Sequence, residues 1–335
     1  MIARTAAVLA VLLLAGCDGW QSALETGGSQ AEDIRDLFNI FLAVCAAVWI
    51  LVALSLAFGL LRRRPAPAGP LELEEGTERR TERIITVLIL ATAVILVALT
   101  ALSFLTGRSL AALQGREDAL SIKLIGHQFW WEVQYQDPEP ARVLTTANEI
   151  HIPVGRPVRL VLTSTDVIHS FWVPSLHGKR DLITGRDNEL WLRADRAGTF
   201  RGQCAEYCGM QHAHMGLLVV AHPPENFEAW RAAQLQPALP PEDEERRRGQ
   251  LVFETRACVM CHTIRGTAAN GKVAPELTHL ASRQFIAAGT LPMTRGALGA
   301  WIADPQSVKP GNHMPLVSLD PPEFQALLSF LMGLQ

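Results

Sequence analysis

The side chains best suited to metal chemistry lie on one short segment and on one residue upstream of it. They are Cys204, Cys208, His212 and Met215, with His169 after the strand-like run Arg159–Leu162. Thiolates, imidazoles and a thioether form a soft ligand set, which favours copper over magnesium or calcium. Because the two cysteines are four residues apart on a compact loop, both sulfurs can point at one metal site.

Three other structures would use parts of this pattern. An oxidising compartment promotes a Cys204–Cys208 disulfide, but nearby histidine and methionine at metal-ligand spacing disfavour it. A single-copper blue site needs one cysteine rather than two. A zinc site has no use for a methionine ligand. The pattern therefore predicts a copper site.

A second motif, Cys258-Val-Met-Cys261-His262, has the C-x-x-C-H pattern of covalent c-type haem attachment. The two cysteines would form thioethers and His262 would be the proximal iron ligand. A thioredoxin-like pair would need a βαβ context, and a zinc half-site would need a second ligand pair. Methionine as the sixth ligand raises the haem potential. Met314 is the favoured candidate and Met293 the competitor.

The N-terminus predicts export and attachment to a membrane. A short apolar run ends in Leu14-Ala15-Gly16-Cys17. We interpret residues 1–16 as a lipoprotein-type signal peptide and Cys17 as a lipidation site. The alternative is an ordinary signal peptide followed by a chance cysteine.

Two uncharged segments, 37–61 and 84–106, are each long enough to cross a hydrocarbon core of about 30 Å. The arginine-rich loop 62–83 between them is predicted to be cytoplasmic by the positive-inside rule. Residues 37–106 would thus form a transmembrane helical hairpin. The segment 17–36 and everything after about residue 107 would be external.

Composition divides the external part again. Residues 107–233 contain short β-rich runs punctuated by Gly and Pro, which predicts an all-β sandwich or barrel. Residues 234–243 are rich in proline and charge and are predicted to be a flexible linker. Residues 244–335 are predicted to be a small all-α domain. The fold class is thus a multidomain membrane protein, and a net charge of −3 disfavours nucleic-acid binding.

The β region resembles cytochrome c oxidase subunit II. The likeness runs from the first membrane span to about Trp230 and is carried by four segments, Gly126–Gln128, Asp166–Leu176, Gly185–Asn188 and Gly202–Cys204. It implies a cupredoxin-like domain with a binuclear CuA centre. In that family Cys204 and Cys208 would bridge two coppers, and His169 and His212 would each bind one.

The same resemblance implies roles for further residues. Met215 and the backbone carbonyl of Glu206 would be weak copper ligands. The Glu206 side chain would help bind magnesium at the interface with oxidase subunit I. Glu82 is where the family often has a glutamate near a proton-uptake pathway, although an acidic residue at a helix start is also favoured by the helix dipole.

Aromatic residues mark the expected electron path and a departure from the family. Phe129 stands where the family commonly has a tryptophan that receives electrons from soluble cytochrome c. Trp130 and Trp131 follow it, and they suit strand packing as well as an electron path. Thr184 replaces a usual proline, and Ile85 and Ile89 replace a common tryptophan and proline. None of these departures removes a copper ligand.

Residues 244–335 resemble a class I cytochrome c. The loop Lys309–Pro315, which contains Met314, is similar to the distal haem loop of that family. Pro275 is similar to the proline whose carbonyl orients the proximal histidine. The resemblance thus implies one covalent haem c held by Cys258, Cys261, His262 and Met314.

Together these features predict an electron-input subunit of a haem-copper terminal oxidase in a bacterial inner membrane, with its copper and haem domains on the periplasmic side. The predicted partners are oxidase subunits I and III, with cytochrome c or an upstream respiratory complex as donor. Oxygen reduction, coupled to proton translocation, would occur in subunit I. Two alternatives remain at this stage: a subunit serving a nitrogen-oxide reductase, and a copper-handling lipoprotein that is not an enzyme.

Overall fold

The computed structural model describes residue 19, residues 21–62 and residues 75–335. The predicted signal peptide, Cys17 and most of the predicted cytoplasmic loop lie outside the described residues. The chain divides into two compact units, one over residues 32–112 and one formed by residues 113–335 with the segment that ends at Ala31.

The unit over residues 32–112 is helical. Helix α1 spans Ser29–Leu61 and helix α2 spans Glu75–Leu110. Both are long and apolar enough to cross a membrane. The predicted spans lie inside them, so the prediction of two apolar helices is confirmed. The Ser109 hydroxyl donates a hydrogen bond of 2.7 Å to the Asp33 carboxylate and joins the two helices.

The second unit begins with a β-sandwich. Its strands are β1 (Leu120–His127), β2 (Trp130–Tyr135), β3 (Leu144–Ala147), β4 (Glu149–Pro153), β5 (Val158–Ser164), β6 (His169–Trp172), β7 (Arg180–Leu182), β8 (Asn188–Leu192), β9 (Gly198–Cys204) and β10 (Gly216–His222). They form two five-stranded sheets with the orders β3-β2-β1-β5-β8 and β4-β10-β9-β6-β7.

Alternation along the strands explains the sandwich. In β1, β2 and β5 every second residue is buried, as expected for strands with one face toward a core. Both sheets contribute to this core, which includes Trp131, Tyr135 and Phe171. Helix α3 (Pro224–Gln234) places Phe227 in the same core. The all-β prediction for this region is confirmed.

The remaining domain is helical, as predicted. It contains α4 (Glu244–Thr255), α5 (Cys258–Cys261), α6 (Arg295–Ala303), α7 (Pro305–Val308) and α8 (Pro321–Leu331), with a two-residue pairing of β11 (Phe285–Ile286) and β12 (Leu291–Pro292). Asp243 caps α4, and Asp320 forms a capping box with Glu323 at the start of α8. Helices α4 and α8 pack closely at Gly249, which has no side chain. A Cβ at this position would lie 2.0 Å from the Ala326 oxygen.

The predicted linker, residues 234–243, is hydrogen-bonded to the helical domain. The Arg265 guanidinium donates to the carbonyls of Gln234 and Leu235, and the Ala238 amide donates to the Arg265 carbonyl. His279 also contacts the Gln236 carbonyl at 3.0 Å. Proline and charge suggested a tether because composition does not reveal partners that lie far away in the sequence.

Candidate copper and haem centres

Neighbouring strands bring the predicted copper ligands together. His169 begins β6 and Cys204 ends β9, and these strands are paired with Phe171 opposite Cys204. Cys208 follows on the next loop. The ligand atoms of His169, Cys204 and Cys208 lie within 4.8 Å of one another, and all three side chains are buried. The arrangement suits soft metal ions.

The other predicted ligands surround these three. The distances are 3.8 Å from Cys204 Sγ to Cys208 Sγ, 3.9 Å from Cys204 Sγ to His169 Nδ1, 3.8 Å from Cys208 Sγ to His212 Nδ1, 3.9 Å from Cys208 Sγ to Met215 Sδ and 3.2 Å from Cys204 Sγ to the Glu206 carbonyl. Every atom that the family resemblance assigns to copper therefore faces one small volume. At 3.8 Å the two sulfurs are not bonded to each other, so the site does not contain a disulfide.

Asp166 orients the His169 ring, a role that the sequence did not reveal. Its carboxylate lies 2.8 Å from His169 Nε2, on the opposite side of the ring from Cys204. An Nε2–H donated to Asp166 leaves the lone pair on Nδ1, which faces the thiols. Burial opposes protonation, yet the hydrogen bonds to Asp166 and Cys204 raise the pKa of His169. A carboxylate three residues before a ligand histidine is the signal that could have indicated this role.

The two thiols are chemically unequal. Their mutual hydrogen bond lowers the pKa of Cys204 to about 3, and contacts with His169 act in the same direction. The same hydrogen bond raises the pKa of Cys208, because the pair shares one proton. This inequality favours the thiolate at Cys204 over the one at Cys208, and binding of copper would displace the proton that remains.

Gln128 and Gly126 make direct contacts that hold the predicted ligands in place. The Gln128 side chain donates a hydrogen bond of 2.7 Å to the Cys208 carbonyl, and its backbone N–H donates to Asp166. Gly126 lies directly against the His169 ring, since a Cβ there would be 2.7 Å from Cδ2. The motif Gly126-His127-Gln128 thus supports the ligands without providing one.

The haem motif opens into an apolar cavity of about 400 Å³. Its lining includes Cys258, Cys261, His262 and Met314. Met293 is absent from the described residues that line it. The chemistry of this lining, with two thiols, an imidazole and a thioether around an apolar space, fits a covalently bound haem.

His262 is held in the orientation that a proximal ligand needs. Its Nδ1 lies 2.7 Å from the Pro275 carbonyl, to which it donates, leaving the lone pair on Nε2. Burial lowers the pKa of His262, so the neutral imidazole is favoured. This is the role that the resemblance implied for Pro275.

The three aromatic residues divide between the two sites. Phe129 and Trp130 line the haem cavity from the β-sandwich side, and Trp130 stacks on His127 with ring centroids 4.4 Å apart. Trp131 is fully buried, and its ring meets that of His169 edge-on with centroids 6.0 Å apart. Of these two consecutive tryptophans, Trp130 therefore lines the cavity and Trp131 contacts a predicted copper ligand.

The remaining predicted residues lie on exposed surfaces. The Glu206 side chain is exposed and lies 3.7 Å from the Lys179 ammonium. Glu82 is exposed on α2, about two turns after the helix begins at Glu75. Both the role in proton uptake and the alternative of a favourable helix dipole stay predictions for Glu82.

Comparisons with known proteins fit this geometry. The family described as cytochrome c oxidase subunit II, periplasmic domain, matches residues 138–222, and the cytochrome c family matches residues 247–335. Cytochrome c oxidase subunit 2 of Alkalihalophilus pseudofirmus is 34% identical over 332 residues, which cover 97% of this chain and 94% of the relative. The chain belongs to the cytochrome c oxidase subunit II family. The subunit of Bacillus subtilis is 30% identical over 346 residues, covering 98% and 96% of the two chains.

Among solved structures, the periplasmic domain of oxidase subunit II of Bradyrhizobium japonicum is 31% identical, with a TM-score of 0.34. The match covers 36% of this chain and 95% of the solved domain.

Membership in the subunit II family explains the two centres together. A subunit II periplasmic domain implies copper and a cytochrome c domain implies haem, and His169, Cys204 and Cys208 form a group that could hold a metal ion. The chain is thus an oxidase subunit with an electron-transfer role, a membrane-helix pair and extracytoplasmic domains.

Proposed function

We propose that this subunit passes electrons from an external donor through haem c and then CuA to oxidase subunit I, where dioxygen is reduced to water with proton translocation. The observation that carries this order is the shared cavity. Cys258, His262 and Met314 line it from one domain, and Phe129 and Trp130 line it from the other. A haem in that cavity would contact the copper domain directly.

Burial of Phe129 supports the order of the two centres. This residue stands where relatives receive electrons from soluble cytochrome c, yet only 5% of it is exposed. The Lys309 ammonium from the helical domain donates to its carbonyl at 3.0 Å. Because the helical domain covers this position, a soluble donor would meet the haem domain first.

In this proposal each ligand has one task. Cys204, Cys208, His169 and His212 would hold the two coppers of the CuA centre, with Met215 and the Glu206 carbonyl as weak ligands. Cys258 and Cys261 would attach the haem covalently, and His262 and Met314 would ligate its iron. When bound, these groups supply one-electron carriage, and His/Met ligation raises the haem potential.

Trp130 and Trp131 bridge the two sites in the proposed path, since one lines the cavity and the other contacts His169. The Glu206 carboxylate faces subunit I and its magnesium ion. Glu82 serves proton uptake, and Cys17 carries the lipid anchor. Subunit III and either cytochrome c or an upstream respiratory complex are the other proposed partners in the bacterial inner membrane.

We also propose the following domain organisation. Residues 1–16 are the signal peptide, 17–36 an external segment, 37–106 the transmembrane hairpin with the cytoplasmic loop 62–83, 107–233 the copper domain, 234–243 the linker and 244–335 the haem domain.

The proposed order can be tested in the assembled oxidase. Rapid mixing with the reduced donor should reduce haem c first and the copper centre second. The double variant Cys258→Ser and Cys261→Ser should keep the copper EPR signal while oxidation of the donor falls at least about a hundredfold, as expected when a positioned redox partner is removed. Cys45→Ser, in the first membrane helix, is the matched control. Full-rate turnover without covalent haem would make the haem domain a side branch.

A further inference from the structure

Lys309 is buried where the two electron-transfer domains meet. It is the first residue of the Met314 loop of the haem domain and is 2% exposed. Its ammonium donates to the carbonyls of Phe129 at 3.0 Å, His214 at 2.8 Å and Ala287 at 3.1 Å. All three N–H groups of the ammonium are therefore satisfied by backbone oxygens.

The three carbonyls belong to segments that shape both centres. Phe129 follows Gln128, whose side chain holds the Cys208 carbonyl. His214 lies between the predicted copper ligands His212 and Met215 in the sequence. Ala287 lines the haem cavity. One side chain thus connects two copper-site segments to a haem-site loop.

The partners of Lys309 are unusual for a buried cation. Among the described residues, no carboxylate forms an ion pair with it. Burial lowers the pKa of Lys309 to about 8, while Cys208 acts in the opposite sense. Burying a charge without a counter-ion costs free energy, whereas replacing it by an apolar group would leave three carbonyls without a donor. The site is therefore built around this ammonium.

Neighbouring contacts extend the same interface. The Gln211 side chain donates to the Pro310 carbonyl at 2.8 Å, and the Gly216 amide donates to the Ala288 carbonyl at 2.9 Å. Gly311 has a φ of +81° and lies against Met210, since a Cβ there would be 2.8 Å from the Met210 sulfur. The loop that carries His212 and Met215 is thus bonded to two haem-domain loops.

We propose that Lys309 is a positioning residue, which fixes the haem-binding loop against the copper-binding loops and so sets the rate of electron transfer between the two centres. This inference rests on the proposed order of transfer. Lys309 touches neither metal, and it acts through the loops that its three hydrogen bonds join.

The test compares Lys309→Met with Lys272→Met in the assembled oxidase. Lys272 lies on the exposed surface of the same domain and is the matched control. In Lys309→Met, electron transfer from haem c to copper should slow by about tenfold or more, because small displacements of reacting groups have large effects on rate. Reduction of haem c by the external donor should keep its wild-type rate, and Lys272→Met should match wild type in both steps.

Hydrogen exchange gives a readout that does not depend on turnover. The Gly216 amide bonds across the interface, so its exchange should accelerate on the order of tenfold in Lys309→Met. If the methionine variant does not assemble, Lys309→Gln retains two N–H donors and should show the same two changes to a smaller extent. Wild-type transfer and exchange rates in these variants would overturn the inference. Copper reduction ahead of haem c in the wild-type protein would instead refute the proposed relay, and the exchange measurement would still decide whether Lys309 joins the domains.

Discussion

The ligand atoms of the copper site converge within one domain, whereas the haem cavity is lined by two. Cys204, Cys208 and His169 place their ligand atoms within 4.8 Å on a single β-sandwich. The proposed haem ligands line a cavity of about 400 Å³, and residues of the sandwich, including Phe129 and Trp130, form part of its wall. A small ion needs converging side chains, but a large planar cofactor needs a shaped apolar space. Here the neighbouring domain completes that space.

The supporting hydrogen bonds differ in the same way. His169 is oriented by the Asp166 carboxylate, and His262 by the Pro275 carbonyl. The carboxylate raises the pKa of its histidine against the effect of burial, while burial lowers the pKa of His262. Both arrangements leave one ring nitrogen free for a metal. The group that orients His169 is a charged carboxylate, whereas the group that orients His262 is a neutral carbonyl. Copper binding should therefore depend more strongly on the orienting group than haem binding does.

The most severe test of the copper half is Cys208→Ser. A hydroxyl cannot replace a soft bridging thiolate, so the delocalised binuclear copper signal should be lost completely. EPR of the purified oxidase measures this, with haem c absorbance as the internal check on the other domain. A wild-type copper spectrum in Cys208→Ser would refute the ligand assignment.

A smaller change is expected from Met314→Ala in the haem half. The haem should stay attached through Cys258 and Cys261, but the low-spin His/Met absorbance signature should disappear, because alanine has no ligand atom. Met293→Ala is the matched control and should retain the signature. The reverse result would assign the sixth ligand to Met293. It would also show that lining the cavity does not identify the ligand.

The mildest change, Asp166→Asn, tests whether the copper site depends on its supporting carboxylate. An amide can still accept from His169 but carries no charge, so copper affinity should fall by about 10–100-fold without loss of the binuclear signal. Titration with a copper chelator measures the change. Asp118→Asn is the control, since Asp118 forms an exposed ion pair with Arg116. Equal copper retention in both variants would show that backbone packing alone orients His169.

Local patterns in the sequence were sufficient to predict the membrane helices and the types of residue at the two candidate centres. Charge-free segments predicted α1 and α2, and the C-x-x-C-H motif lies on α5 at the edge of the cavity. The cysteine pair with His212 and Met215 predicted the metal loop because all four ligands are close in the sequence. These features depend on hydropathy, on residue type and on short spacing, which a single chain displays directly.

Only the tertiary structure determined which residues that are far apart in the sequence come into contact. The pairing of β6 with β9 brings His169 to Cys204, and the two domains meet around Lys309, whose acceptors Phe129 and His214 are remote from it. The hydrogen bond between the Leu235 carbonyl, in the predicted linker, and Arg265 likewise joins residues far apart in the sequence. Hydrogen-bond partners of this kind follow from how the chain folds back on itself. Neither composition nor periodicity records which carbonyl a buried ammonium or guanidinium will meet.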